Sequence, residues 1–127
     1  MQYRYLVTQP DLNAHGTLHG GILMKWVDEA CGMEARLITK SVCATRNISL
    51  IDFVSTARLG DIVEVSVTHR STGKTSIVFS ATVRNAFGGV IAFFDKLVFV
   101  AIDSKHKPID ITFNPLEFTG IIFFDES

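Results

Sequence analysis

Cysteine is scarce in this chain, and what there is lacks the arrangement that disulfides or metals need. Cys31 and Cys43 are its two cysteines. They have no metal-ligand spacing, and Cys31 falls inside an apolar helical pattern, which argues against a disulfide framework and for buried thiols of a reducing compartment. The histidines His15, His19, His69 and His106 do not form a zinc set by spacing. Blocks of charge are missing as well. Twelve Lys and Arg stand against thirteen Asp and Glu, and without runs of either sign there is no electrostatic footprint for nucleic acid. No apolar run approaches the roughly twenty residues that span a bilayer. The opening MQYRYLVTQP has neither a basic n-region nor a long apolar stretch. The expectation is a soluble cytoplasmic protein with no membrane segment, no nucleic-acid partner and no metal.

What is present is apolar residues in excess. A chain of 127 residues with 47% apolar content suits a single domain with a real core. The reading is one domain over 1–127, its core at about 2–108 and a tail at 109–127 with loop character and some aromatic docking. Phe87, Phe93, Phe94, Phe99, Phe113, Phe118, Phe123 and Phe124 exceed what one small core needs, so part of that surface is expected to meet another chain.

Residues 2–7 form a short strand, and Pro10, Asp11 and Asn13 mark a loop. Gly20 and Gly21 then stand directly before Ile22, where helical periodicity begins. At 100° per residue, Ile22, Leu23, Trp26, Val27, Ala30, Met33, Leu37 and Ile38 fall on one apolar face. Lys25, Glu29 and Arg36 lie opposite, and a narrow strip of Gly21, Asp28, Gly32 and Ala35 separates the two. Glu34 projects onto the apolar side without an evident reason.

After Ser41 the period changes to two. Residues 43–53 read as a strand, 54–58 as another short one, and 62–70 alternate cleanly through Val63, Val65 and Val67. Residues 74–86 alternate through Ile77, Phe79, Ala81 and Val83, and Gly88-Gly89 closes a second hairpin. The stretch 90–102 is almost continuously apolar, as for a strand covered on both faces. One long helix and a meander of antiparallel strands predict an α+β fold in which the sheet wraps the helix.

Glycines ahead of a helix leave its first N–H groups uncovered, where they and the helix dipole stabilise negative charge. Asp28, seven residues after Gly21, points within about 20° of it and roughly 10 Å further along the axis. A carboxylate there could activate water or attack an acyl carbon, with Asn13 and His19 orienting water or a carbonyl: the minimum equipment for acyl transfer. Each residue also has a plainer reading. Asp28 suits a solvated helix position paired with Lys25, Asn13 a turn, Gly20 and Gly21 an unusual backbone conformation. Lys74, Thr75 and Ser76 suit either hairpin surface or donors to a phosphate-bearing ligand.

The segment DLNAHGTLHGGILMKWVDEACG resembles the signature of the hotdog-fold acyl-CoA thioesterases, most closely the single-domain bacterial members of the YciA type and the tandem-domain cytosolic acyl-CoA hydrolases of animals. ATRNISLIDFVSTARLGDIVEV, GKTSIVFSATVRN and LVFVAIDSKHKP extend the resemblance over about residues 5–108. It implies an antiparallel sheet around one long central helix and hydrolysis of fatty acyl-CoA to fatty acid and coenzyme A. Asp28 becomes general base or nucleophile, Gly21 the oxyanion donor, and Asn13 the catalytic asparagine, reaching Asp28 of a partner across a two-fold dimer. His19, Gly20, Lys74, Thr75 and Ser76 are substrate-binding candidates. No cofactor is implied beyond the coenzyme A of the substrate, and a trimer of dimers is a further expectation. The alternatives are a 3-hydroxyacyl thioester dehydratase or hydratase, and a non-catalytic acyl-CoA sensor. The run Ala92-Phe93-Phe94-Asp95-Lys96 and the terminal GIIFFDES depart from the family pattern.

Overall fold

The computed structural model describes residues 1–111; the aromatic docking expected of the tail lies outside them. Strand β1 (Gln2–Leu6) and a short 3-10 turn (Gln9–Asp11) lead to helix α1 (Gly20–Thr39), followed by β2 (Cys43–Phe53), β3 (Ile62–Thr72), β4 (Ser76–Asn85) and β5 (Val90–Ala101). The strands form one antiparallel sheet in the order β1-β3-β4-β5-β2. The chain crosses from one edge of the sheet to the other by way of α1, and the helix is left against a single concave face.

Alternation explains that face. Val63, Val65 and Val67 of β3 and Ile77, Phe79, Ala81 and Val83 of β4 are all buried, as are Ile91, Phe94, Leu97 and Phe99 of β5. They close on Leu23, Val27, Ala30 and Cys31 of the helix. Each such aliphatic or aromatic side chain, fully buried, contributes about 1.5–3 kcal/mol. Phe79 and Phe99 meet edge to face with centroids 5.9 Å apart.

The structure corrects several expectations. Met33 and Leu37 are 45% and 60% exposed, while Ala35 and Thr39 are buried. The buried stripe therefore rotates around the helix toward its C-terminus, as it must where a twisted sheet crosses it obliquely. Residues 54–58 are not a strand. The N–H groups of Val54 and Ser55 both donate to the Ile91 carbonyl, and the Ala57 carbonyl accepts from Leu18, so this segment is drawn off to brace the loop before α1. Strand β5 is covered on both faces at its ends, where Ile91 and Ala92, and Phe99, Val100 and Ala101, are buried, and is open on one face only in its middle, with Phe93 38% exposed. Glu34 acquires a reason: it accepts a 2.6 Å hydrogen bond from the Tyr3 phenol.

Strand β2 is a sheet edge of 11 residues. Its outer side is bare in the protomer. Leu50 sits on it at φ 57 and 68% exposed, near Phe53 and Val54 at 48% and 51%. Among the described residues no helix is long and apolar enough to cross a membrane.

Candidate active site

The loop ahead of α1 is built by side chains that replace missing backbone partners. Asn13 Oδ1 accepts from the N–H of His15 at 2.9 Å and of Thr17 at 3.1 Å, and its amide donates to Thr17 Oγ1 at 3.0 Å. These bonds hold the turn that Gly16 completes at φ 79. Asn13 is thus engaged within its own loop, and among the described residues no hydrogen bond joins it to Asp28.

His19 is the N-cap of α1 and takes the place that Ser or Asp usually fills. Its Nδ1 accepts the Gly21 N–H at 2.9 Å. The amide expected to hold an oxyanion is therefore occupied by the protein's own imidazole. Because Nδ1 accepts, the ring in this arrangement carries its proton on Nε2. Gly20 opens the helix, and a Cβ placed there would stand 4.0 Å from the Phe53 ring.

Asp28 lies two turns further along, half-buried. Its partner is not Lys25: among the described residues the one ion pair is Arg4–Glu64, at 2.8 Å. The hydroxyl of Thr45 on β2 donates to Asp28 Oδ1 at 2.6 Å, a short bond of the kind formed with a carboxylate. Thr45 has no singular feature in the sequence. Its role follows from the strand register, which carries a bulge immediately after it, between Thr45 and Asn47.

Asp28 and Thr45 open into a cavity of about 940 Å³ whose walls include Gly32, Phe99, Cys43 and Tyr5. Most of that lining is apolar, with Glu29 and Arg36 also on it. Tyr5 stacks on Trp26 at 4.9 Å and donates to its carbonyl, which fixes this wall. Burial raises the Tyr3 phenol above its ordinary range, and the Glu34 hydrogen bond and charge add to it. Burial likewise raises Tyr5, with Glu29 contributing. Cys31, behind the cavity in the core, is pushed up to about 12 by burial first and then by Asp28 and Glu34. It is a protonated, inert thiol at neutral pH.

Lys74, Thr75 and Ser76 lie on the β3–β4 hairpin, outside the walls of this cavity. Their backbone is engaged: the carbonyls of Lys74, Thr75 and Ser76 accept from Ile111, Ala101 and Gly73. Ile77 beside them pairs with Phe99, which pairs with Thr45. The hairpin is therefore two strand spacings, about 10 Å, from Thr45 across the sheet.

A model of the thioesterase superfamily matches residues 15–92. The chain belongs to that superfamily. A putative esterase of Deinococcus radiodurans is 34% identical over 89 residues, 69% of this chain and 59% of the relative. The cytosolic acyl coenzyme A thioester hydrolase of Rattus norvegicus is 26% identical over 116 residues, 84% of this chain and 30% of the relative. The chain thus spans less than two-thirds of the length of either relative. A hexameric acyl-CoA thioesterase crystallised in its apo form superposes with a TM-score of 0.79 at 30% identity, over 89% of this chain and 75% of that one. The fold of this thioesterase-superfamily chain is the hotdog fold.

Proposed function

We propose that this chain hydrolyses acyl-CoA thioesters to a free acid and coenzyme A. One observation carries the reading: a helix carboxylate, held by the Thr45 hydroxyl at 2.6 Å, stands at the wall of a largely apolar cavity of about 940 Å³. Family membership and the names of the relatives support it.

In this reading the thioester carbonyl takes the Gly21 N–H once His19 has turned aside, and the helix N-terminus steadies the developing oxyanion. Asp28 either removes a proton from water as it attacks or attacks the acyl carbon itself. Thr45 keeps the carboxylate aimed at the cavity and leaves its second oxygen for that work. Coenzyme A departs as the thiol. Its phosphates point toward the hairpin, where Lys74, Thr75 and Ser76 are the available donors. No metal or separate cofactor is called for.

A second copy completes the site. Asn13 is bound up in its own loop and makes no bond to the Asp28 of its own chain, while β2 presents an unpaired edge with Leu50, Phe53 and Val54 exposed near it. Such an edge pairs with another strand. Pairing of two β2 edges about a two-fold axis brings the loop of each protomer to the helix of the other, and three such dimers would make a hexamer. Two free thiols accord with a reducing cytoplasm.

The test is release of free thiol from an acyl-CoA series running from acetyl to palmitoyl, with wild type beside Asp28→Ala. Turnover that depends on chain length and falls by two to four orders of magnitude in the variant, with an unchanged thermal midpoint, establishes reaction and residue. Saturable binding with no turnover at any length would make the chain a sensor. Hydration of an enoyl-CoA would make it a hydratase.

A further inference from the structure

Glycine is, after proline, the poorest residue for a helix interior, yet Gly32 sits in the middle of α1. Neither backbone nor packing within the protomer calls for it. Its φ is not positive, unlike those of Gly16 and Gly60. A Cβ built on it would meet nothing closer than Phe99 Cε2 at 3.5 Å, an ordinary van der Waals contact. Alanine would therefore fit and would favour the helix.

What Gly32 does have is position. It follows Asp28 by one turn on the same helix face, and it lines the cavity into which Asp28 and Thr45 open. From Asp28 that cavity continues past Gly32 to Met33 and Leu37, a run of about 13 Å along the helix axis. Phe99 lies against Gly32, and Cys43 joins it from the strand side. A side chain at residue 32 would project into this passage immediately beyond the carboxylate.

We infer that Gly32 determines acyl-chain length: its missing side chain is the opening through which the acyl group passes from Asp28 along α1 over Phe99. The occupant is an unbranched apolar chain, since the passage beyond Gly32 is walled mainly by aromatic, thiol and aliphatic groups, with Arg36 the one charged side chain along it. The pantetheine arm, rich in amides, would leave the same cavity toward the Thr45 end. This inference rests on the thioesterase reading and names the part of the substrate that selects.

The experiment compares wild type, Gly32→Ala and Gly32→Met on acetyl-, butyryl-, octanoyl- and palmitoyl-CoA, with thermal midpoint and oligomeric mass measured for each. In Gly32→Ala the octanoyl-to-acetyl ratio of kcat/KM falls about tenfold or more, the scale on which one methylene is discriminated in an apolar pocket. The midpoint holds or rises. Gly32→Met, flexible enough to lie along the passage, moves the cut-off to shorter chains still. An unchanged chain-length profile in both variants overturns the inference while the thioesterase reading stands. So does a uniform loss at every length with a lower midpoint or altered mass, because the glycine would then serve close packing of a second copy. If wild type turns over no acyl-CoA, the thioesterase reading falls, and dissociation constants for the same series decide: weakening that grows with chain length keeps Gly32 as the selector, and equal weakening removes it.

Discussion

Thr45 on the edge strand β2 donates its hydroxyl to Asp28 Oδ1 on α1 at 2.6 Å, and this bond ties the candidate catalytic carboxylate to the sheet. A hydrogen bond to a charged group is worth about 1.5–3 kcal/mol. Thr45→Val, nearly equal in shape, should lower kcat roughly 10- to 150-fold, and Thr45→Ser should restore most of it. Thr45 is exposed, so in the resting protein water replaces the lost donor at Asp28, and the stability cost of either variant should stay below about 1 kcal/mol while the loss of alignment appears in kcat. Steady-state kinetics with thermal melts would check both halves; equal activity of the valine variant would detach Thr45 from the chemistry.

His19 has two effects that one substitution separates. Its Nδ1 caps the helix through the Gly21 amide, so His19→Ala should cost about 1 kcal/mol of stability and a few degrees of thermal midpoint. His19→Ser, a good N-cap, should recover most of that loss. The same imidazole covers the amide proposed for the oxyanion, so kcat/KM should be no lower in either variant. A collapse of kcat/KM in both would mean that His19 acts on the substrate itself.

The division of the site between two chains can be tested by mixing. Asn13→Ala and Asp28→Ala proteins should each be inactive alone. After random exchange of subunits about half the dimers are mixed, and each mixed dimer holds one intact site, so roughly a quarter of wild-type activity should return. Exchange shown by mass with no recovered turnover would contradict a site shared between two chains.

Stability should fall on the alkaline side, and Cys31 sets where. An unfolded thiol loses its proton near pH 8.5, whereas burial holds the folded Cys31 thiol up to about 12. Below the lower value both states keep the proton and the stabilisation is fully present. Between the two only the folded state keeps it, so stability drops as pH rises, by about 1.4 kcal/mol per unit. Tyr3, also raised by burial and by Glu34, adds to the fall above about pH 10. Thermal midpoints from pH 8 to 11 should decline less steeply in Cys31→Ala than in wild type, and less steeply above pH 10 in Tyr3→Phe. Parallel curves would show that these groups are solvated in the folded state.

The elements were readable from the chain because each is written in local period. Helix α1 begins at Gly20, two residues before the expected start at Ile22, and β2 spans the expected 43–53. The alternations through Val63 and through Ile77 mark which residues of β3 and β4 are buried, since a strand beside a single covered face has no other choice. The superfamily was readable too, from a glycine pair, an asparagine loop and an aspartate at fixed separations.

Three features were decided by tertiary structure alone. Met33 and Leu37 match the apolar period of the helix but are exposed, because the sheet crosses α1 obliquely and the buried stripe turns with it. Residues 54–58 look like a strand but are recruited to brace the loop before the helix. Thr45 reaches Asp28 only because β2 returns beside α1 in one register with a bulge after residue 45. Local sequence determines period, and period determines helix and strand. Which side chains then meet depends on register and crossing angle, and those follow from how the whole sheet closes over the helix.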